Sequence, residues 1–459
     1  MLDRVHPFVE RLGPVRAFRE LRRDFSGVVF VLAAGDLVAS FGFSLIFPFL
    51  TIFLVQRFGA SAFQAGLVLS GYSVCSIFSG AVGGWLADRI GRRIVMIVSV
   101  GVTGGVVALM GQATDLTQIA LLTIALGLID PAFIPAARAA IADVVPEDRR
   151  PRAYGLLSVA ASVGWIAGPA IGAGLASLGY ALLFSVAGAI IALYAVIGWI
   201  WLPETRPTGE SAGPDVGGAE IGGSASAATA PSGADPEAGD GAPGPTHVDP
   251  RLVFVAFLPI TLVVHAATFQ WVSTFPIHAA RDLGVPTSQW GLLFSLNGIL
   301  IVLFQMRVSG AAERRSKPRM MALASLLYAA GYAAVGPVGG PTLAIPAIAT
   351  LVVLVTFGEM LLYPLEPSFV SDLSPEDRRG RYQGVVLAAT GLGSAVGPPL
   401  GGWLLDTLPS LTWWLTGASL VACAGAFVAL DRLARRLPPS ARATAVPIGG
   451  TPGAPELAG

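Results

Sequence analysis

Charged residues are scarce in this chain. They make up 13% of its 459 residues, against about 25% in typical soluble domains, and Lys317 is its single lysine. A chain of this length with so little charge is not an ordinary soluble protein. Its net charge is zero and no basic patch alternates with aromatic residues, so we expect no nucleic-acid partner.

Cysteine and histidine are also rare. The two cysteines, Cys75 and Cys423, fall inside apolar stretches, and the four histidines show no metal-ligand spacing. We therefore expect neither a disulfide nor a metal site. A Walker loop (GxxxxGK[ST]) is absent too, so we predict a protein that is not an enzyme, needs no cofactor and draws on a proton gradient rather than ATP.

Apolar residues make up 54% of the chain, and the mean hydropathy is +0.69. Apolar stretches of about 20 residues recur, each long enough to cross a hydrocarbon core as a helix. Helices satisfy their own backbone hydrogen bonds, which lipid cannot do. The sequence therefore predicts an all-α integral membrane protein with twelve transmembrane helices.

The stretch from Gly209 to Pro250 separates the sixth predicted span from the seventh. It is rich in glycine, alanine, serine and proline, a composition that cannot bury enough surface to fold. The first 25 residues lack the apolar core of a signal peptide. We therefore predict a cytoplasmic N-terminal arm (1–25), a six-helix bundle (26–203), a flexible cytoplasmic linker (204–250), a second six-helix bundle (251–432) and a cytoplasmic tail (433–459).

Arginines concentrate in every second predicted loop, whereas the other loops hold only Arg57 and Arg281. Because loops on the cytoplasmic side carry the excess of basic residues, this asymmetry predicts that both termini are cytoplasmic. We expect a multi-pass protein of the cell (plasma or inner) membrane, monomeric, whose partners are the lipid bilayer, protons and a small-molecule substrate.

The two predicted bundles resemble each other in sequence. The stretch "ADVVPEDRRPRAYG" begins at Ala142 and "SDLSPEDRRGRYQG" begins at Ser371, an offset of 371 − 142 = 229 that continues without a gap into the following span. A weaker match places Asp88 opposite Glu313. Similarity in both loops and spans indicates a duplication of six helices, and parallel repeats of this kind surround the central site of some transporters.

The loop after the second predicted span carries "GWLADRIGRR", residues 84–93. This stretch resembles the signature G-x-L-a-D-r-x-G-r-r of the major facilitator superfamily, and the resemblance extends over nearly the whole chain. It implies two pseudo-symmetric six-helix bundles, the major facilitator fold, which transports by alternating access.

The resemblance also predicts a cytoplasmic gate. Gly84 would allow a close helix approach, and Gly91 a turn with positive φ. Asp88 would face the start of the eleventh helix near Gly380, where the helix dipole is positive. Ion pairs are expected between Arg92 and Asp143 and between Lys317 and Asp372. For Arg89 and Arg93, a role in the positive-inside bias alone remains open.

Glycines recur at intervals of four in two predicted spans. The stretch "GWIAGPAIGAG" resembles the antiporter signature G-x-x-x-G-P-x-x-G-G of helix 5, with Ala173 in place of the last glycine, and "GSAVGPPLGG" in helix 11 is the fuller form. In the family the helix 5 signature is associated with export, although close helix packing alone also explains it. The residues concerned are Gly164, Gly168, Pro169, Gly172, Gly393, Gly397, Pro398, Gly401 and Gly402.

Four carboxylates fall inside predicted spans: Asp36, Asp130, Glu359 and Glu366. A charge at a helix centre costs roughly 2.5–3.5 kcal/mol on insertion scales, so these groups should face a wet cavity or a partner. Because 130 + 229 = 359, Asp130 and Glu359 occupy equivalent positions in the repeat, and we predict that they carry protons. The alternative is a structural role, with Asp130 hydrogen-bonded or paired with Arg138; Glu366 could equally be a gate residue.

The chain resembles a subgroup of twelve-helix drug:proton antiporters with an acid before "PA" in helix 4 and "GE" followed by "P" in helix 10. It departs from the commoner pattern because Thr123 stands where an arginine precedes Gly127, so a proton relay through that arginine is in doubt. For His265, a packing role is favoured over titration. Further candidates to line a cavity are Phe41, Arg138, Gln270, Trp271, Asn297 and Gln305.

Together these features predict a proton-coupled exporter (antiporter) of small lipophilic or cationic compounds, including multidrug efflux. An importer or symporter of a metabolite fits the acids equally well but the glycine signature less well. A non-transporting sensor or scaffold fits poorly, because it has no need for paired acids in both halves.

Overall fold

The computed structural model describes residues 25–146, 149–206, 248–313, 315–375 and 378–436. The predicted N-terminal arm and most of the predicted linker and C-terminal tail lie outside these ranges. Twelve membrane-type helices dominate the described chain. They are α1 (Gly27–Phe58), α2 (Ala62–Ile90), α3 (Arg92–Met110), α4 (Leu116–Val144), α5 (Arg150–Leu178), α6 (Tyr180–Trp201), α7 (Pro250–Asp282), α8 (Thr287–Glu313), α9 (Lys317–Val335), α10 (Pro341–Leu373), α11 (Arg379–Thr407) and α12 (Thr412–Ala434).

Eleven of these helices are long and apolar enough to cross a membrane. The exception is α9, which has 19 residues but begins with Lys317 and Arg319 and contains two tyrosines. Tyr328 and Tyr332 are fully buried where α9 packs against α10 and α12. The tyrosines that lower the hydropathy of α9 are therefore buried inside the protein, where Tyr332 donates a hydrogen bond to the carbonyl oxygen of Ala267 (3.1 Å).

Large apolar side chains cover much of the outer surface. Leu121, Leu178 and Trp199, for example, are 61%, 75% and 67% exposed. A water-soluble protein rarely exposes so many large apolar groups together, whereas a lipid-facing surface requires them. The prediction of an all-α integral membrane protein is confirmed.

Prolines interrupt three of the helices. A 3-10 turn at Phe47–Phe49 bends α1, and one at Asp130–Ala132 bends α4. The last third of α7 changes direction around Pro276 and ends in a π-helical turn, His278–Asp282. Each break follows from the missing amide hydrogen of proline and from the steric clash of its ring with the preceding turn.

The helices α1–α6 and α7–α12 pack in corresponding ways. In the first set α1 lies against α5 and α3 against α6; in the second α7 lies against α11 and α9 against α12. The two sets meet along α2–α11 and α5–α8. We refer to α1–α6 and α7–α12 as the two halves.

Among the described residues, the close contacts between the halves run from the end where α2 and α8 begin to about the middle of these helices. A methyl group added to Gly66 would lie 2.4 Å from the carbonyl oxygen of Pro398, and one added to Gly291 would lie 2.4 Å from that of Pro169. At the opposite end, no described atom lies within 4 Å of such a methyl group on Gly155, Gly310 or Gly384. These exposed glycines agree with a cleft between the halves at the end that carries the α2–α3 loop.

Candidate functional site

Asp130 lies at the break in α4, where Pro131 removes a backbone donor. Its side chain is half-buried, and Tyr72 of α2 is its polar neighbour. A methyl group on Gly127, one turn earlier, would lie 2.5 Å from the carbonyl oxygen of Tyr72, so α2 and α4 approach closely here. This close approach brings the tyrosine to the carboxylate.

Glu359 is buried in α10, with 8% exposure. Asn297 of α8 donates a hydrogen bond from Nδ2 to Glu359 Oε2 (2.7 Å) and a second to Thr356 Oγ1 (2.9 Å). Trp271 and Tyr328 are further polar neighbours of the carboxylate. Glu359 is thus held by a neutral amide inside an aromatic wall, and no cation pairs with it among the described residues.

The surroundings of the two acids follow the internal repeat. Tyr72 and Asn297, their partners on α2 and α8, are equivalent positions, because 297 − 72 = 225 and the glycines of the same helices give 291 − 66 = 225. Asp130 and Glu359 are equivalent at an offset of 229. The structure therefore presents one carboxylate in each half, half-buried at Asp130 and buried at Glu359, each facing a neutral polar side chain from the equivalent helix.

His265 and Glu366 form a second polar contact in the second half. His265 Nε2 lies 2.9 Å from Glu366 Oε2, and Glu366 is 6% exposed. The Tyr363 ring lies 6.4 Å from that of His265, measured between centroids. His265 is therefore a partner of a buried acid rather than a packing residue alone. No sequence pattern indicates this contact, because 101 residues separate the two groups.

Asp36 of α1 is half-buried and lies within electrostatic range of Arg138 in α4 and of Tyr194 in α6. Tyr194 packs directly on the backbone of Gly35, the residue before the acid. Arg138 is exposed and neighbours Asp36. No ion pair between Arg138 and Asp130 appears among the described residues.

The remaining predicted cavity residues divide into two groups. Phe41, Asn297 and Gln305 are half-buried, and Gln305 Nε2 donates to Ser309 Oγ (2.8 Å). Gln270, in contrast, is 3% exposed and accepts a hydrogen bond from Thr416 (3.1 Å), so its prediction as a cavity residue is wrong.

Trp271 does not line an open cavity either, since it is 2% exposed. Its ring stacks on Phe294 at a centroid distance of 4.9 Å and lies edge-on to Trp290 at 5.6 Å. It forms part of the wall behind Glu359. Both corrections arise because helical periodicity does not tell a helix–helix face from a cavity face when both are apolar.

An aromatic pocket that the sequence analysis did not identify lies between α1, α2 and α4, and it shares Tyr72 with the surroundings of Asp130. Its lining includes Phe43, Phe47 and Tyr72. Phe43 and Phe47 stack at 5.2 Å between centroids, and Trp165 of α5 closes the group edge-on at about 6 Å. The pocket supplies apolar and π surface next to a carboxylate.

The two expected ion pairs of the gate are present. Arg92 Nε lies 3.0 Å from Asp143 Oδ2, and Lys317 Nζ lies 2.6 Å from Asp372 Oδ2. Each pair joins the start of one helix to the end of the next, α3 to α4 and α9 to α10 respectively. The pairs are equivalent in the repeat.

Asp88 behaves differently from the expectation. Its carboxylate is 71% exposed and lies 3.1 Å from Arg92 Nη2. α11 begins at Arg379, close to the expected position. With 71% exposure, the Asp88 carboxylate is not packed against another helix start in this conformation.

The glycines and arginines of the same loop occupy distinct environments. Gly91 has φ +108°, a region that side chains rarely adopt, and Gly84 faces Pro135 of α4. The guanidinium of Arg89 lies over Trp85 at 5.3 Å, and that of Arg93 over Trp199 at 5.4 Å. The two arginines thus contact aromatic rings near the membrane boundary in addition to contributing charge.

Glu204, just after α6, is a further residue that the sequence analysis did not identify. Its carboxylate accepts hydrogen bonds from the backbone amides of Arg92 (3.0 Å) and Arg93 (3.3 Å), the first residues of α3. Arg206 donates to the carbonyl oxygen of Arg89 (2.8 Å). The chain leaving the first half is therefore fixed to the α2–α3 loop, because an acid at a helix start satisfies its free amide groups.

The glycine stripes pack within each half. Methyl groups on Gly164 and Gly172 would lie 2.8 and 2.4 Å from carbonyl oxygens of α1, and one on Gly168 would overlap Ser44. In α11, Gly393, Gly397 and Gly401 face α7 in the same way, whereas Gly402 faces the start of α2. Pro169 and Pro398 lie where the halves touch. Ala173, which replaces a glycine, packs against Gly291 of α8.

Comparison with known proteins agrees with this architecture. The model of the Major Facilitator Superfamily matches residues 32–275 and 257–452. The chain is 26% identical over 389 residues to the uncharacterised MFS-type transporter YqjV of Bacillus subtilis (strain 168), covering 84% of this chain and 88% of the relative. It is 23% identical over 395 residues to the multidrug resistance protein MdtH of Klebsiella pneumoniae (strain 342), covering 85% and 90%.

A third relative is the Na(+), Li(+), K(+)/H(+) antiporter of Planococcus maritimus, 24% identical over 431 residues, which cover 89% of this chain and 95% of the relative. Among solved structures, a POT family transporter in complex with 5-aminolevulinic acid superposes with a TM-score of 0.70 at 12% identity, covering 88% of this chain and 96% of that one. This likeness concerns the fold alone. The chain therefore belongs to the Major Facilitator Superfamily and is a multi-pass membrane transporter rather than an enzyme.

Proposed function

We propose that the protein exports small lipophilic or cationic compounds in exchange for protons, by alternating access between its two halves. The observation that carries this proposal is the equivalent pair of membrane-embedded carboxylates, Asp130 and Glu359, each beside a neutral polar group. Burial favours the neutral form of a carboxyl group and contact with water the charged form. A site whose exposure to water alternates can therefore take up and release a proton.

The aromatic pocket beside Asp130 supports the substrate class. Phe43, Phe47, Tyr72 and Trp165 offer π faces and apolar surface, and an adjacent carboxylate favours positive charge. The relative named as a multidrug resistance protein and the one named as an H(+) antiporter agree with this assignment.

The proposed export direction rests on the glycine signature of helix 5, and the orientation identifies the conformation. The excess of arginine in every second loop assigns the open end, with its α2–α3 loop, to the cytoplasm. The structure is then the inward-facing state, ready to receive substrate from the cell. Rocking of the halves would close this end and open the other.

The test uses proteoliposomes with an imposed pH gradient and a panel of lipophilic cations and neutral amphiphiles. Asp130→Asn and Glu359→Gln preserve shape and remove the proton site, so we expect uphill accumulation to be lost while downhill exchange continues. Asp115→Asn is the matched control: Asp115 caps the start of the same helix α4 through a hydrogen bond from Gln118, a role that asparagine also fulfils.

Three results would contradict the proposal. If both variants and the double variant pump uphill with an unchanged proton-to-substrate ratio, coupling does not reside in this pair. If the variants lose thermal stability or expression with coupling unchanged, the acids are structural. Uphill uptake into the compartment on the α2–α3 side would identify an importer.

A further inference from the structure

The first turn of α2 is held by an acid from the other half of the molecule. Asp406, in the last turn of α11, accepts a hydrogen bond from the backbone amide of Phe63 at Oδ2 (2.8 Å) and one from that of Ala62 at Oδ1 (3.2 Å). These are the first two residues of α2. The contact lies at the end where the halves touch.

The start of a helix has four amide groups without partners inside the helix, and a negative charge there is favoured by the helix dipole. In α2 two of these amides are satisfied locally: that of the capping residue Ser61 by the Gln64 side chain (2.9 Å) and that of Gln64 by the Ser61 hydroxyl (3.2 Å). The other two, those of Ala62 and Phe63, depend on Asp406. Completion of this helix terminus therefore requires the two halves to be together.

Asp406 is itself held in place by the end of α7. Arg281 donates from Nη1 to Asp406 Oδ1 (3.0 Å) and from Nε to Asp282 Oδ1 (2.8 Å). His278 Nδ1 lies 2.9 Å from Asp282 Oδ2. All three supporting residues belong to the π-helical turn that ends α7. The carboxylate is thus oriented toward α2 by its own half.

Close backbone packing fixes the distance between the two helices. A methyl group on Gly402, one turn before Asp406, would lie 2.2 Å from the carbonyl oxygen of Ala62. The contact between Gly66 and Pro398 continues the same seam. Because these backbones touch beside Asp406, a separation of α2 and α11 at this end must also break the contacts of Asp406 with the α2 amides.

The equivalent interface between α5 and α8 has no such acid. The position equivalent to Asp406 is Ser177, because 406 − 229 = 177. Its hydroxyl donates to the carbonyl oxygen of Gly174 within its own helix (2.6 Å). The cross-half contact is therefore particular to α2–α11 and is not a by-product of the repeat.

We propose that Asp406, supported by Arg281, is a latch that holds this end of the transporter closed, and that its release from the amides of Ala62 and Phe63 accompanies opening to the other side. The proposal rests on the alternating access proposed above, but not on proton coupling or on the direction of transport. It assigns to α11 and the end of α7 a role in setting the balance between the two conformations.

The test measures the distance between the halves in full-length protein in nanodiscs, by electron-electron double resonance. Spin labels are attached at Arg57→Cys in the first half and Leu411→Cys in the second, both at the closed end, in a Cys75→Ala, Cys423→Ala background. Asp406→Ala should shift the population toward the separated state by about tenfold, because a charge-assisted contact to a helix start is lost. Asp406→Asn and Arg281→Ala should shift it less, in the same direction.

Ser177→Ala, at the equivalent position, is the control and should leave the distances unchanged. The latch is refuted if Asp406→Ala, Asp406→Asn and Arg281→Ala all give the distances of the control. If Asp406→Ala folds poorly, the distances measured in Asp406→Asn and Arg281→Ala test the proposal instead. The measurement needs neither substrate nor a pH gradient. A failure of coupling at Asp130 and Glu359 is therefore distinguishable from a failure of the latch.

Discussion

Arg92 contacts two acids at once, Asp88 and Asp143, from the first residue of α3. Arg92 and Asp143 are 12% and 14% exposed, whereas Asp88 is 71% exposed. Because exposed ion pairs contribute little, the pair with Asp143 should dominate. This arginine therefore connects the start of α3 to the end of α4 and leaves Asp88 free to change partner.

A double-mutant cycle tests this pair. We expect Arg92→Ala and Asp143→Ala each to slow downhill exchange without unfolding the protein. Together they should show a coupling free energy of about 0.5–3 kcal/mol, the range for residues in contact. This coupling free energy is calculated from the logarithms of the exchange rates of the unaltered protein, the two single variants and the double variant. The control is Arg89→Ala, which removes a neighbouring arginine stacked on Trp85 and whose effect should add to that of Asp143→Ala. If the effects of Arg92→Ala and Asp143→Ala are additive as well, the ion pair between Arg92 and Asp143 is excluded.

The sequence could predict the ion pairs but not the other polar contacts. Arg92–Asp143 and Lys317–Asp372 are equivalent in the repeat, so a family motif and a constant offset together predict both. His265–Glu366 and Glu204 with the start of α3 have no such signal, because each joins residues about 100 positions apart that occur in no common motif. Their proximity is set by helix packing, which apolar periodicity does not encode.

At the scale of helices, the close contact between α1 and α5 depends on glycines of α5, which have no side chain to separate the two backbones. Gly164 lies so close to α1 that a methyl group would be 2.7 Å from the backbone nitrogen of Phe41. Neither backbone can yield without moving a whole helix. The glycine motif lies on a helix–helix contact, as the spacing of small residues predicts, although the sequence does not say that the partner helix belongs to the same half.

We expect Gly164→Ala to destabilise the protein by about 1–3 kcal/mol, as overpacking of a close contact does. Thermal unfolding of the purified protein, followed by its tryptophan fluorescence, measures the loss. Gly155→Ala is the matched control on the same helix, since no described atom lies within 4 Å of the added methyl group. Equal melting temperatures for the two variants would show that α1 and α5 are not in close contact.

At the scale of the whole molecule, the connection between the halves has two parts. Glu204 and Arg206 are fixed to the α2–α3 loop, whereas residues 209–245 have the composition of a flexible chain. The sequence alone predicts one uniform linker from residue 204. It could not reveal Glu204, because an acid beside a linker has no distinctive pattern.

Deletion of residues 215–235 should therefore leave downhill exchange largely intact, and protease should cut the intact protein between about Gly209 and Pro245. Glu204→Ala should impair transport although the linker is complete, because the start of α3 loses its acceptor, typically about 0.5–2 kcal/mol for a helix cap. Exchange rates at equal surface expression test both. Loss of transport on deletion alone would show that the linker itself is functional.

The contacts between the two halves could not be predicted either, because the sequence does not show which conformation of the transporter is adopted. The expected contact of Asp88 with α11 requires closure at the end that is open here. Asp406 occupies the equivalent role at the other end of the same pair of helices.

The lengths of α4 and α10 bear on how the two halves diverged. α4 has 29 residues and α10 has 33, yet Asp130 and Glu359 meet equivalent partners on α2 and α8. The offset is 225 at the helix starts (341 − 116) and 229 at the acids (359 − 130), so the four additional residues precede the acid.

Four residues are about one helical turn, which lengthens the helix by about 6 Å and rotates its remaining residues by only about 40°. An insertion of one or two residues would have turned the carboxylate toward lipid or a neighbouring helix. We therefore expect insertions and deletions of residues in these two helices to be tolerated only in steps of about one whole turn. A relative whose α4 or α10 differs in length should differ by about three, four or seven residues.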